Sequence, residues 1–302
     1  MIKGKRIYIA GSGGMLGEAF YKIYSKDNIL RCTDKDVNES WLEYLDFRDA
    51  EAYKRDVEDF RPNYIFHLGA HTSLEYCEEN SDDAYLTNTI AVENAVNIAN
   101  DLNVPILYIS TAGIFDGKKQ TYDDWDDPSP LGHYARSKFL GEKFVVQNIH
   151  RHIVCRAGWM MGAGPSKDKK FIQKLMKQIK DGKTELHIVD DKLGTPTYTI
   201  DFARNVALLL KNQYWGIYNM VCNGVTSRLE VANELIRTIG KEGEIKVTPV
   251  SSEYFSKEYF AKRPKSERLI TKKLQMRKCN IMRDWRICLR EYLEEYYHDY
   301  LN

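Results

Sequence analysis

The chain has 302 residues, 43% of them apolar and 29% charged, which is enough to bury a large core and excludes a disordered or fibrous protein. Forty-four Lys plus Arg face 43 Asp plus Glu, a formal net charge of +1, so no global field selects nucleic acid or an anionic membrane as a partner. The start, Met1-Ile2-Lys3-Gly4-Lys5-Arg6, runs into an apolar stretch too brief for a signal peptide or a spanning helix, and the expected compartment is the cytoplasm.

From Arg6 to about residue 157, short β-rich runs alternate with longer amphipathic stretches, the pattern of βαβ units winding a parallel sheet. Strands are expected at Arg6–Ala10, Ile29–Thr33, Tyr64–Leu68, Ile106–Ser110 and Ile153–Arg156. Helices are expected after Gly14 and over Ala52–Phe60, Asp83–Leu102 and Tyr134–Asn148. Ala91, Ala95, Ile98 and Ala99 have helical spacing, and Pro105 marks the restart as a strand.

The first strand, Ile7-Tyr8-Ile9-Ala10, turns into a helix through Gly11-Ser12-Gly13-Gly14-Met15-Leu16-Gly17. Glycines there allow close backbone approach, and the helix N-terminus attracts a pyrophosphate. Gly11, Gly14, Met15, Leu16 and Gly17 are therefore cofactor-binding candidates. Asp34 stands at the end of the next strand, 20 residues after Gly14, where a carboxylate accepts hydrogen bonds from an adenosine ribose. It favours NAD, since a 2′-phosphate would meet a like charge, while Arg31 and Lys35 beside it keep NADP open. Asp46 and Phe47 are candidates for the border of the adenine, with an ordinary cap as the alternative.

Beyond residue 160 the rhythm changes to helices at Lys169–Lys180, Ile200–Leu210, Arg228–Ile239 and Trp285–Leu301, broken by brief strand-like pieces. The fold class is thus α/β, a Rossmann-like doubly wound parallel sheet with a smaller α/β C-terminal substrate-binding lobe. Residues 1–160 are expected to bind the dinucleotide and 161–302 to form the substrate side, with a soft boundary that strands can cross. The tail from Glu291 to Tyr300 reads as an amphipathic helix with packed tyrosines, and is the candidate surface for a homodimer.

The six cysteines form no Cys-x-x-Cys pair and read as reduced thiols, so zinc is not expected. A metal held by His67, His71 and a nearby acid competes with a simpler reading, a strand end beside a cofactor, and the simpler one is adopted.

The strand Ile106–Ser110 ends in Ser110-Thr111, at the edge where a doubly wound sheet opens its crevice. Tyr134 and Lys138 lie four residues apart, on one face of a helix. A neighbouring ammonium lowers a tyrosine pKa from its usual value near 10, which suits Tyr134 as an acid near neutral pH. With Thr111 or Ser110 on the substrate oxygen, Tyr134 as proton donor and Lys138 holding the phenol and the nicotinamide ribose, a ketone could receive a hydride.

In this order the motifs resemble the extended short-chain dehydrogenase/reductase superfamily, and within it the dTDP-4-dehydrorhamnose reductase family. The resemblance rests on Gly11-x-x-Gly14-x-x-Gly17, Gly69-Ala70-His71-Thr72, Ser110-Thr111 with Phe115-Asp116-Gly117, Tyr134-x-x-x-Lys138 with Gly141-Glu142-Lys143, and Arg156 with Trp159. Gly194-Thr195-Pro196-Thr197 and Arg263-Pro264 with Ser266 extend it through the second half. It implies catalysis by Thr111, Tyr134 and Lys138, cofactor contacts at Leu68, Gly69 and Ala70, and substrate contacts at His71, Ser110, Gly113, Trp159 and Arg263. It further implies NADP or NAD as cofactor and a nucleotide-diphosphate sugar as substrate.

Family members place an acid and then a substrate-contacting tyrosine after the Ser-Thr pair, where this chain has Ala112 and Gly113. Either another side chain fills the gap, with the loop Thr121–Trp125 as the expected source, or the chain takes a different sugar or a bulkier substituent, or its catalysis is weakened; a changed sugar is the reading adopted, since Tyr134 and Lys138 remain. The basic stretch Lys262–Arg290 reads mainly as solvated faces, with Arg263 suited to pair bidentately with a diphosphate. Reduction of a 4-keto sugar nucleotide is the function expected. The alternatives are a noncatalytic dinucleotide-binding regulatory subunit and a nucleotide-sugar epimerase or dehydratase.

Overall fold

The computed structural model of the chain describes residues 2–301. Strands β1 (Arg6–Ala10), β2 (Ile29–Asp34), β3 (Glu43–Tyr44), β4 (Tyr64–His67), β5 (Ile106–Thr111) and β6 (His152–Ala157) join Gly216–Asn219 in one sheet. The spatial order is Gly216–Asn219, β6, β5, β4, β1, β2, β3, and every pairing is parallel. The winding direction reverses between β1 and β4, which opens a crevice at their carboxyl ends.

Both faces of the sheet are covered, which is why the strands read as nearly continuous apolar runs. Ile7 and Ile9 of β1 enter one core with Phe20, Phe66 and Ile153, whereas Tyr8 and Ala10 enter the other with Tyr53, Val57 and Val92. That split is the two-residue alternation of an extended chain. The helix Met15–Tyr24 lies on the first face, and Ala50–Phe60, Ala91–Asp101 and His133–Asn148 supply the second.

The expected helix over Asp83–Leu102 is interrupted. An α-helical turn at Ser81–Tyr85 passes into a π-helical stretch at Leu86–Ile90 before Ala91–Asp101 resumes the α-helix. The reason lies in buried polar side chains. Asn88 accepts from the His71 N–H at 2.9 Å and donates to the His71 carbonyl and Ser137 Oγ, each at 3.1 Å. Thr89 Oγ1 donates to the Ser137 carbonyl at 2.8 Å.

The second half is less purely helical than its periodicity suggests. Trp159–Met161 pairs with Pro196–Tyr198, Glu185–Val189 pairs with Lys246–Val250, and Leu193–Gly194 is flanked by Thr226–Ser227 and Ser266–Glu267. Gly216–Asn219 returns from this half into the central sheet. The terminal helix is shorter than expected, Trp285–Tyr297, with Trp285, Tyr292 and Tyr297 buried. It also reaches the other half, where Tyr296 Oη donates to Glu18 at 3.1 Å. No helix among the described residues is long and apolar enough to cross a membrane.

Candidate active site

The glycine turn and the loop after β4 meet in the crevice. Leu68 and Gly69 N–H groups donate to the Ala10 carbonyl at 2.9 and 3.2 Å, and a Cβ on Gly11 would stand 2.2 Å from Gly69 Cα. Gly69 is itself covered by the Phe47 ring. A Cβ on Gly17 would fall 2.0 Å from the Ser12 carbonyl oxygen, so this glycine packs the helix onto the turn. Gly14 differs, because nothing lies within 4 Å of its would-be Cβ and it caps the helix without a side-chain hydrogen bond. Open space in front of unsatisfied helix N–H groups fits a dinucleotide pyrophosphate.

Asp34 ends β2 facing this turn and accepts from the Gly13 N–H at 2.8 Å. Arg31, one of the two cations expected near a 2′-phosphate, is instead paired with Asp56 at 2.5 Å and Glu43 at 3.0 Å. Lys35 stays exposed. Asp46 does not stand free beside an adenine site, because Arg48 Nη2 pairs with it at 2.5 Å and holds its carboxyl below the usual range. Arg48 also reaches Asp83 at 3.0 Å, and Asp83 lies 2.7 Å from His71 Nε2. The His71 ring, partly exposed, thus stands beside a carboxylate of its own chain.

Thr111 ends β5, and its Oγ1 accepts from the Gly113 N–H at 3.1 Å. That leaves the hydroxyl hydrogen available to a second acceptor. Ser110 is buried, and its Oγ has no hydrogen-bond partner. Tyr134 and Lys138 share the helix His133–Asn148, whose N-terminus is capped from outside. There the Glu78 carboxylate accepts from the His133 N–H at 2.7 Å and favours the positive end of the helix dipole.

The electrostatics correct one expectation. Burial pushes the Tyr134 phenol up to about 12; the Thr111 hydroxyl opposes this and Glu267 reinforces it. Lys138 exerts no lowering effect. Its Nζ lies 4.2 Å from the centroid of the Tyr108 ring, and burial drops it to about 7 against the opposing pull of Glu142. Glu142 is itself bound by Arg156, Nη2 to Oε1 at 2.6 Å, in a buried ion pair. Burial also takes His67 down to about 3, with Lys138 adding to the effect. No group of three or more His, Cys, Asp or Glu side chains that could hold a metal occurs among the described residues.

The atom nearest to the Gly113 Cβ position comes from the second half of the chain, Glu267, and not from the first. Glu267 Oε1 lies 3.4 Å from where a Gly113 Cβ would be, and its Oε2 accepts from Trp159 Nε1 at 2.9 Å. The Trp159 ring is pressed against Gly194, where a Cβ would come within 2.2 Å, and the Arg228 guanidinium lies 3.6 Å from the indole centroid. The Arg263 guanidinium, expected on the substrate side, pairs through Nη1 with Glu75 at 2.6 Å. Glu78, Asn88, Tyr108, Arg228 and Glu267 carried no spacing signal that marks a site. Their roles arise from contacts across 17 or more positions of sequence, as from Asn88 to His71 with a separation of 17 and from Glu267 to Trp159 with one of 108.

A reversal of winding with a glycine cradle, bordered by Thr111, Tyr134 and Lys138, defines a dinucleotide-binding protein of the extended short-chain dehydrogenase/reductase class. More particularly, residues 5–298 match the model of the RmlD substrate binding domain family, and the chain belongs to that family. It is 29% identical over 294 residues to the spore coat polysaccharide biosynthesis protein SpsK of Bacillus subtilis, covering 96% of this chain and 97% of that one. The dTDP-4-dehydrorhamnose reductase structure from Clostridium acetobutylicum superposes with a TM-score of 0.86 at 30% identity, covering 96% and 99% of the two chains. The Bacillus anthracis dTDP-4-dehydrorhamnose reductase in complex with NADP gives a TM-score of 0.88 at 26% identity, covering 97% and 99%.

Proposed function

We infer that the protein is an NAD(P)H-dependent reductase of a nucleotide-activated 4-keto-6-deoxyhexose, with dTDP-4-dehydrorhamnose as its substrate, acting in deoxysugar and polysaccharide biosynthesis. The similarity to two dTDP-4-dehydrorhamnose reductase structures over nearly the whole chain supports the reaction. The observation that supports the chemistry is the Thr111 hydroxyl, at the carboxyl end of β5, acting on the Tyr134 phenol, with Lys138 one turn further along the same helix.

A bound NADPH or NADH would supply the hydride, held by the Gly14 face of the turn and by Asp34. The Thr111 hydroxyl, fixed by its bond from Gly113 N–H, orients the substrate carbonyl oxygen. Tyr134, with its pKa raised to about 12, carries its proton throughout the neutral range and donates it to that oxygen as negative charge develops. Lys138, brought by burial to about 7, can hold a proton or release one near neutral pH.

The test is to mix the purified protein with NADPH or NADH and dTDP-4-dehydrorhamnose and follow loss of the reduced nicotinamide absorbance. Oxidation that depends on the sugar nucleotide is the expected result. Cofactor binding with no oxidation would overturn this reading and favour a regulatory subunit, and tightly bound NAD with no net turnover would favour an epimerase.

A further inference from the structure

One point in the crevice, the position a Cβ would take on Gly113, lies 3.4 Å from Glu267 Oε1, 3.5 Å from Thr111 Oγ1 and 3.8 Å from Tyr134 Cε1. All three stand at ordinary van der Waals distance, so a methyl at 113 would fit among them without displacing any. The group facing it is a carboxylate carried by the short strand Ser266–Glu267, in the other half of the molecule.

That carboxylate is held in a definite orientation. Its Oε2 accepts from the Trp159 indole N–H, and Trp159 cannot swing because Gly194 and the Arg228 guanidinium close its two sides. Arg228 forms no ion pair of its own among the described residues, although it lies near enough to Glu267 for that carboxylate to oppose the effect of burial on it. Glu267 is half-buried, and its Oε1 makes no hydrogen bond to the protein among the described residues. A charged acceptor with one oxygen fixed and the other left without a protein donor beside the reacting groups suits a sugar hydroxyl.

We propose that Glu267 is a specificity-determining residue, whose Oε1 accepts a hydrogen bond from the hydroxyl on the carbon next to the carbonyl being reduced, in the space left by Gly113. The ligand class is a nucleotide-activated hexose that keeps this hydroxyl free. Thr111 and Tyr134 take the carbonyl oxygen from one half of the chain, and Glu267 reads its neighbour from the other. The assignment rests on the reductase reading for the identity of the sugar, but binding can be measured without turnover.

The experiment is calorimetric titration of dTDP and of dTDP-rhamnose, the expected product, into the NADP⁺-loaded wild type and the variants Glu267→Gln, Glu267→Ala and Gly113→Ala. Gln keeps an oxygen for the Trp159 N–H while removing the charge, and Ala at 113 narrows the space from the opposite side without touching Trp159. The wild type should bind dTDP-rhamnose more tightly than dTDP. Each variant should lose about 10-fold or more of that preference, the scale of one hydrogen bond to a charged group, while keeping its affinity for dTDP. The proposal is overturned if the preference survives in the variants, if dTDP binding falls equally, or if the wild type has no preference. A parallel assay of wild-type NADPH oxidation judges the reductase reading separately, because its failure leaves the binding ratios interpretable.

Discussion

The ammonium of Lys138 rests 4.2 Å from the centroid of the Tyr108 ring, and Tyr108 Oη fixes the same helical turn by donating to the Lys138 carbonyl at 3.0 Å. The aromatic face offers the buried cation partial compensation for lost water. Burial still dominates and brings Lys138 down from its ordinary 10.5 to about 7. Below that pH the side chain is charged, and above it neutral. If the cation is required, kcat/KM for the sugar nucleotide should fall as pH rises above about 7. A flat profile from pH 6 to 9 would remove this requirement.

The same residue affects stability with a definite sign. Between pH 7 and 10.5 the unfolded chain keeps a Lys138 proton that the folded chain lacks, so stability rises with pH across this window. Below 7 the full penalty of the buried charge is present. Lys138→Met should therefore raise the neutral-pH Tm of the cofactor-free protein by at least about 3 °C, the scale expected for one kcal/mol in a large domain, while lowering activity. An unchanged or lower Tm would contradict this.

Tyr134→Phe removes the proton donor and its contact with the Thr111 hydroxyl while keeping the ring. We expect kcat to drop about 10²- to 10⁴-fold, the usual range for loss of a general acid. NADPH affinity, measured by fluorescence titration, and Tm should both be near wild type. Retained turnover would exclude Tyr134 as the acid.

Two glycines of the turn should respond in opposite ways. Gly17→Ala drives a methyl to 2.0 Å from the Ser12 carbonyl oxygen and should destabilise or prevent folding. Gly14→Ala meets nothing within 4 Å and has a backbone φ of −88°, so the fold should survive while NADPH affinity weakens. Thermal melts with and without cofactor distinguish the two, and a cofactor affinity unchanged in Gly14→Ala would place the pyrophosphate elsewhere.

Asp34→Asn retains an oxygen for the Gly13 N–H while removing the negative charge near the ribose. The ratio of kcat/KM for NADPH to that for NADH should rise by about 10-fold, since one repulsive charge pair at a partly exposed site is on the order of 1 kcal/mol or somewhat more. A ratio that stays constant would mean that Asp34 does not face the adenosine ribose.

The first half of the fold was legible because its chemistry is local. Apolar strand runs, the glycines of the turn and the Tyr134-to-Lys138 spacing all announce themselves within a few residues, and β1, β2, β4, β5 and β6 lie within one or two residues of their expected limits. The strand Glu43–Tyr44 was illegible because both residues are exposed and carry no apolar pattern. The π-helical stretch was hidden for another reason: Asn88 and Thr89 distort their helix to satisfy His71 and Ser137, partners that spacing cannot reveal. In the site, the direction of the Tyr134 shift was not legible, because spacing brings an ammonium near a phenol without showing that Tyr108 holds it and that burial dominates. Arg263 and Asp46 looked available in the sequence and are held by Glu75 and Arg48.

The closing helix has a mechanical consequence. Tyr296 binds Glu18 and Tyr297 binds Gln173, so the end of the helix Trp285–Tyr297 grips the helix that follows the first glycine turn and the middle of the second half together. Such a clasp opposes swivelling of one half about the other. The molecule should melt in a single transition, and a chain shortened before Trp285 would uncover a slab of tyrosines and lose the strap that keeps Glu267 and Thr111 on the same sugar.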